Sequence, residues 1–395
     1  MNKWLARLCL ATGALAATAG MASAAEVVKV GLIADFTGAF ANWGSQFQQA
    51  VEAFQAVNGK TVKGPDGKEI EIQYVYRDNA SAGPDKTKQL AEDLVLREKV
   101  KFLAGFDLSP HAMAVADIAT QAKVPVIIMN AATSIITTKS PYIVRTSMTL
   151  PQITQPIALW AANNGIKKVY TVVADYGPGI DAEGAFTKAF KEKGGEIVGS
   201  VRTPLQNPDY APFIQRVKDA KPDAIFLFLP AGEQGIAFMK GYKERGLAEA
   251  GIRLIATGDI TDDGVLEAMG DPTIGLITSF HYSAAHDSPE NKAFVKAYAE
   301  VNGTKLRPNF MAVGGYDGMA AIYEALKKTG GSTDAEKVIG AMKGLKLMSP
   351  RGPITIDPDT RDLIQTVYIR KVEKTPNGLY NIEFDRFGDQ KDPGK

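Results

Sequence analysis

Between Lys101 and Ser134 the chain reads KFLAGFDLSPHAMAVADIATQAKVPVIIMNAATS. An apolar run ends at Ala104-Gly105, an apolar-faced segment spans His111 to Ala122, and a second apolar run covers Val124 to Met129. This pattern predicts a strand, a helix and a parallel strand, which commits the chain to a layered α/β architecture. Both strands lead into small and hydroxyl residues, Leu108-Ser109-Pro110 after the first and Asn130-Ala131-Ala132-Thr133-Ser134 after the second. Ser109 before Pro110 reads as an N-cap and first-turn pair. Free N–H groups and the positive end of the helix would then face the space beyond the strand ends, where a carboxylate is favoured and where open parallel sheets hold their ligands. On this stretch alone a purely structural role remains open: Ser109 as a cap and Thr133 as a turn residue.

With 395 residues the chain suits two lobes rather than one small core. Lys3 and Arg7, an apolar run from Leu8 to Ala17 and the small residues Ala22-Ser23-Ala24 predict a secretory signal peptide over Met1–Ala24, and hence a periplasmic, exported protein. No other segment is apolar for long enough to span a bilayer. Loss of Lys3 and Arg7 with the leader takes the balance from 45 basic and 44 acidic residues to 43 and 44, which points to neither nucleic acid nor an anionic membrane as partner. The one cysteine, Cys9, lies inside the leader, so no disulfide, thiol nucleophile or cysteine-bound metal is expected.

Taken in order, Val27–Ala34 is expected to be a strand, with Trp43-Gly44 in a loop ahead of a helix from Ser45 to Val57. Lys60–Lys68 reads as a turn, Ile70–Arg77 as a strand and Asp85–Glu98 as a helix, giving a doubly wound lobe once the Lys101–Ser134 unit is added. After the short strand Tyr142–Thr146 the alternation restarts: strands at Lys168–Ala174, Glu196–Val201, Ala224–Leu229 and Arg253–Thr257, with helices between them. The last elements, among them helices over Ser288–Asn302 and Phe310–Thr329 and a hairpin of Gln365–Glu373 with Leu379–Phe384, are too few for a third domain. They are expected to complete both lobes and so to cross a hinge several times. The predicted division is residues 25–148 with 280–356 in one lobe and 149–279 with 357–395 in the other.

Enzyme chemistry finds no foothold. No nucleophile elbow, zinc-helix motif, phosphate loop or dinucleotide fingerprint is present. His281 and His286 lack a third metal ligand at fixed spacing, and Asp262-Asp263 reads as a solvated helix cap. Neither a catalytic residue nor a cofactor or metal is therefore expected, and a secreted enzyme using the same cleft stands only as a distant alternative.

The segments Gly31–Gly38, Gly105–Ser109, Pro125–Thr133, Asp175-Tyr176-Gly177 and Tyr316-Asp317 resemble, in order and at similar spacing, those of the leucine/isoleucine/valine-type substrate-binding proteins of ABC transporters. The resemblance covers essentially the whole mature chain. It implies a type I periplasmic-binding-protein fold: two Rossmann-like lobes joined by three hinge strands, which trap a ligand on closing and deliver it to a membrane permease, the protein working as a monomer. Residue by residue it assigns Ser109, Ala131 and Thr133, with Ala132 between them, to an amino acid's carboxylate and ammonium. Trp43 falls to the side-chain pocket, where Phe106 and Tyr282, from the sequence itself, would help it to surround a ring. Tyr176 falls to the opposing lobe, and Asp259 to the ammonium.

The expected ligand is a small apolar carboxylate, a branched-chain or other hydrophobic amino acid in the first place. Small residues at Pro230-Ala231-Gly232-Glu233 leave extra room. Should Asp259 not serve an ammonium, a benzoate- or cinnamate-like acid becomes the alternative.

Overall fold

In the computed structural model, which describes residues 26–303 and 307–394, the chain forms two sheets flanked by helices. The signal peptide read at Met1–Ala24 lies outside the described residues. The first sheet contains β1 (Glu26–Ala34), β2 (Thr61–Lys63), β3 (Glu69–Asp78), β4 (Phe102–Gly105), β5 (Val126–Ile128) and β6 (Ile143–Arg145), in the spatial order β2-β3-β1-β4-β5-β6. All its pairs are parallel except β2 with β3. The chain runs outward from β1 to β3 and returns to β4 on the other side of β1, so the direction of winding reverses between β1 and β4. A crevice opens at such a point beyond the carboxyl ends of the strands. Asp35 and Asp107 stand there.

The second sheet repeats the scheme. It is built of β7 (Lys168–Ala174), β8 (Glu196–Thr203), β9 (Ala224–Phe228), β10 (Arg253–Thr257), β11 (Ile277–Phe280), β12 (Lys346–Ser349), β13 (Gly352–Ile356), β14 (Leu363–Thr375) and β15 (Gly378–Gln390). Winding reverses between β7 and β9, which end at Ala174 and Phe228. Each lobe thus offers one crevice. The apolar strands are buried on both faces, as helix-covered parallel strands must be; every residue of β4, β5, β6 and β9 is buried.

The chain returns to the first lobe after β11: helices Pro289–Asn302 and Phe310–Lys328 pack on helix Ala41–Asn58. The short β12–β13 hairpin then pairs with the start of β14, whose later residues pair antiparallel with β11. This crossing is pinned by buried polar groups. Arg351 donates to Asp317, to Gln365 Oε1 at 3.0 Å and to the Thr146 carbonyl at 2.5 Å, while Gln365 Nε2 donates to the Ser147 carbonyl at 3.0 Å and to Gln152 Oε1 at 2.8 Å.

Several elements differ from expectation for identifiable reasons. The helix expected at Ser45 begins at Ala41 and includes Trp43 and Gly44. Gly44 does not break it, because its backbone N–H donates to the Asp35 carbonyl at 3.0 Å and a Cβ there would lie 2.4 Å from that oxygen. The segment after β4 is two short helices, Ser109–Ala114 and Ala116–Ala122, rather than one. The predicted turn at Lys60–Lys68 contains β2, and the final hairpin is longer than its apolar pattern.

Candidate functional site

The two crevices face each other, and the residues at the strand ends enclose a chamber of about 20 Å³. From the first lobe, Trp43 comes off the first turn of helix Ala41–Asn58, its ring 4.6 Å from that of Phe40. Ser109 and Asn130 come from the ends of β4 and β5. From the second lobe, Tyr176 follows β7, Phe228 ends β9, and Asp259 sits in the one-turn helix after β10. Tyr176 and Phe228 stack with centroids 6.1 Å apart and planes 17° from parallel. The walls are therefore aromatic and aliphatic, with polar groups at two opposed ends.

The first polar end is built around strand-end loops. Ser109 is not an N-cap: the helix starts on it, and its Oγ accepts the Thr133 N–H at 3.1 Å, joining the loops after β4 and β5. That leaves the Ser109 O–H to donate into the chamber. Asn130 donates from Nδ2 to the Asp107 carbonyl at 2.7 Å, which fixes its amide orientation, and its buried Oδ1 has no hydrogen-bond partner among the described residues. The Asp107 carboxylate is saturated by the N–H groups of Asp35 at 2.7 Å and Leu108 at 2.8 Å and by His111 Nδ1 at 3.0 Å.

At the second end Asp259 Oδ2 accepts from the Thr257 hydroxyl at 2.7 Å, and burial pushes its carboxyl up to about 6. A group with this value is mostly ionised at neutral pH, a strong acceptor in a dry place. The pair Asp262-Asp263 corrects the expected solvated cap: both are buried. Asp262 accepts from the Gly264 N–H and from Asn309 Nδ2, each at 3.1 Å, and burial, with Asp263 beside it, raises it to about 7.

Of the eight residues singled out from sequence, Trp43, Ser109, Ala132, Tyr176 and Asp259 line the chamber. Phe106, Ala131 and Thr133 do not. Phe106 is fully buried with φ at +64°, its N–H on the Ile33 carbonyl at 2.9 Å, and this left-handed backbone turns the ring into the core. The Ala131 N–H is spent on the Phe106 carbonyl at 2.9 Å. Thr133 has given its N–H to Ser109 and abuts the other lobe, where a Cβ on Gly177 would fall 2.5 Å from its Oγ1; glycine lets the lobes meet here. Tyr282, expected near a ring, instead donates to Asn291 Oδ1 at 3.0 Å in the core. Sequence reasoning missed Phe228, Met148, Leu150 and Met311, whose apolar runs carry no mark separating pocket wall from core.

Outside the chamber a groove of about 760 Å³ runs between the lobes, from Phe40, Leu108 and His111 to Leu205, Tyr210, Ile236 and Asp262. Trp43 lines both spaces and forms the wall between them. A cavity that holds a benzene ring measures roughly 150 Å³. A ring therefore enters the chamber only as Trp43 or the opposing lobe moves away, the geometry of a hinged trap.

Asp35, Asp107 and His111 bring donor atoms within 4.8 Å of one another. Both ring nitrogens of His111 are engaged by acceptors, Asp107 Oδ1 and the Ala82 carbonyl, each at 3.0 Å. Hydrogen bonds within the protein thus engage the triad. His281 is buried beside Phe280, and His286 bonds Glu383 at 2.8 Å; the two share no metal cluster among the described residues.

Comparison with known proteins matches residues 27–377 to the family described as periplasmic binding protein. A relative from Brucella melitensis, named Leu/Ile/Val-binding protein homolog 6, is 46% identical over 393 residues, 99% of each chain. A solute-binding protein of an ABC transporter from Rhodopseudomonas palustris BisB5, solved in complex with 3,4-dihydroxybenzoic acid, is 54% identical with a TM-score of 0.88, covering 93% of this chain and 99% of that one. A second solute-binding protein from R. palustris, solved with 4-hydroxybenzoate, is 46% identical with a TM-score of 0.90 over the same shares.

Proposed function

Because this chain belongs to the periplasmic binding protein family and is a solute-binding protein of ABC-transporter type, we propose that its ligand is a benzoate-type aromatic acid, with hydroxybenzoates the best fit. The reading rests on one observation: a chamber walled by the rings of Trp43, Tyr176 and Phe228, with the Ser109 hydroxyl at one end and the Asp259 carboxyl at the other. The ring acid's carboxylate lies against the Ser109 hydroxyl and its ring between Trp43 and the stacked pair. Its phenolic hydroxyl donates to Asp259. Each charge-assisted bond contributes about 1.5–3 kcal/mol, and edge or face contacts with rings add about 0.5–1.5 kcal/mol. After the costs of association and closure, that suffices for micromolar or tighter binding. The two solved relatives bound to hydroxybenzoates support the same class.

Family members of this type bind small carboxylates and work with membrane permeases, and the family is periplasmic. The leader read at Met1–Ala24 is the proposed route of export, residues 25–148 with 280–356 and 149–279 with 357–395 the proposed lobes, and the monomer the proposed working form. No helix among the described residues is long and apolar enough to cross a membrane.

A hydrophobic amino acid is the second reading, favoured by the name of the Brucella relative and by the position of Asp259. Substitution Asp259→Asn separates the two. An asparagine carbonyl still accepts from a phenol but cannot neutralise an ammonium, so the variant should keep 4-hydroxybenzoate within roughly tenfold of wild-type affinity. An ammonium that loses its only charge partner in a buried site costs about 3–5 kcal/mol, on the order of a hundredfold or more. Calorimetric titration of both proteins with 4-hydroxybenzoate and leucine reads the difference; leucine binding that collapses in the variant would transfer the proposal to amino acids.

A further inference from the structure

The chamber presents a difficulty for any anion: the charged residues in its wall are Asp107 and Asp259, and no lysine, arginine or histidine lines it among the described residues. A carboxylate bound at Ser109 sits next to Asp107, two positions earlier in the chain. Unless that charge is compensated, the shelf repels the ligand it is proposed to hold.

The compensation lies one layer deeper. His111 is buried, with 3% of its surface exposed, and stands one helical turn after Asp107. Its Nδ1 is 3.0 Å from Asp107 Oδ1 and its Nε2 is 3.0 Å from the Ala82 carbonyl oxygen. Asp107 Oδ1 and the Ala82 carbonyl are acceptors, so a ring protonated on both nitrogens, an imidazolium, donates to each of them, and this is the form the neighbouring carboxylates favour. Asn79 Nδ2, 3.2 Å from Nε2, also donates to the Ala82 carbonyl, at 3.0 Å, so two donors converge on one oxygen. Asn79 is held in that orientation by Asp35 Oδ1 at 3.1 Å and by the Thr87 hydroxyl, which donates to its Oδ1 at 2.8 Å.

The titratable groups facing the ring are Asp107 from the end of β4 and Asp35 from the end of β1, whose carboxyl is pushed up by burial and by Asp107; Asn79 after β3 and Thr87 on helix Pro84–Leu96 are neutral. Burial alone would favour neutral imidazole, but the two carboxylates and the Ala82 carbonyl hold the ring above its ordinary value.

We propose that His111 is a positioning residue for anion capture: a buried imidazolium beneath the Ser109 shelf that neutralises Asp107, and so decides whether the chamber accepts a carboxylate. It touches no ligand atom and acts through Asp107. The inference rests on the reading of the cleft as a carboxylate site and deepens it by assigning the counter-charge. Selectivity follows, because the imidazolium favours an anion over a neutral molecule of the same shape.

The test uses benzoate, which has no phenol to titrate, and benzamide as its neutral isostere, with calorimetry from pH 5.5 to 8.5 on the wild type and His111→Gln. Since Asp259 and Asp262 titrate in this range in both proteins, the readout is the difference between wild type and variant. At pH 6 the variant is expected to bind benzoate roughly tenfold more weakly and benzamide within about twofold. As pH rises the wild type should lose its advantage and converge on the variant. In ¹⁵N NMR of the three histidines, one ring, assigned to His111 by its loss in the variant, should carry protons on both nitrogens at pH 6.

Equal benzoate affinities at pH 6, a His111 ring with a bare nitrogen there, or stoichiometric zinc binding abolished by His111→Gln would each overturn the inference. If the variant does not fold, the wild-type pH profile and the ring titration must coincide for the proposal to stand. A wild type that binds none of benzoate, benzamide and 4-hydroxybenzoate at any pH would defeat the aromatic-acid reading itself, an outcome visible without the variant.

Discussion

Ser109 shows how a single side chain serves both fold and ligand. Its oxygen accepts from the Thr133 backbone while its proton is free to point at a carboxylate. Substitution Ser109→Ala removes the ligand bond and also leaves the buried Thr133 N–H without its acceptor, so affinity for an aromatic acid should fall by roughly tenfold or more with a small loss of stability. Calorimetry and thermal unfolding together would show it, and an unchanged Kd would take Ser109 out of the site. The serine was legible from its place at a strand end before proline. Phe106, three residues earlier, was not: the direction of its ring depends on a left-handed φ, which an apolar residue following glycine does not announce. Asp262-Asp263 misled for a similar reason, since paired acids read as solvated unless a tertiary neighbour such as Asn309 or Asn381 is known to cover them.

Elements were easier to read than the polar groups that join them. The apolar strands and their strand-end loops stood out, because burial on both faces leaves uninterrupted runs of branched residues. The edge strand β2 did not, and the ribbon β14–β15 was legible as a hairpin but not in its full length, because half-exposed strands mix charge into their pattern. Asp262 belongs to this scale, linking the loop after β10 to Asn309 at the head of helix Phe310–Lys328. Its folded value of about 7 against an ordinary 3.8 means that the folded state keeps a proton which the unfolded chain has lost. Stability attributable to this group is therefore full below about pH 4, declines as pH rises, and is lost above about 7. Asp259 has the same sign. We expect the melting temperature to fall between pH 5 and pH 8. The variant Asp262→Asn should recover part of that loss, by about 2–4 °C per kcal/mol, while matching the wild type only below about pH 4. A variant less stable than the wild type at pH 8 would show that the carboxylate is worth more ionised than its burial suggests.

At the scale of the molecule, two sheets wound by the same rule place their reversal points opposite each other, so the site forms between lobes and not within either. That arrangement was legible in outline from two runs of strand–helix alternation. Trp43 and Tyr176 were legible as walls of the chamber, but Phe228 between them was not, because an apolar strand end reads as core until the lobes are brought together. The crossing strands, tied by Arg351, Asp317 and Gln365, carry both lobes, and a ligand that bonds Ser109 on one and Asp259 on the other favours, by its contacts with both, an arrangement of the lobes wide enough to hold its ring. The most direct test of the account is calorimetric titration of the mature chain with 4-hydroxybenzoate and, separately, with leucine. The account predicts one-site binding of 4-hydroxybenzoate at micromolar affinity or tighter and no measurable heat with leucine; tight leucine binding with no response to the aromatic acid would contradict it.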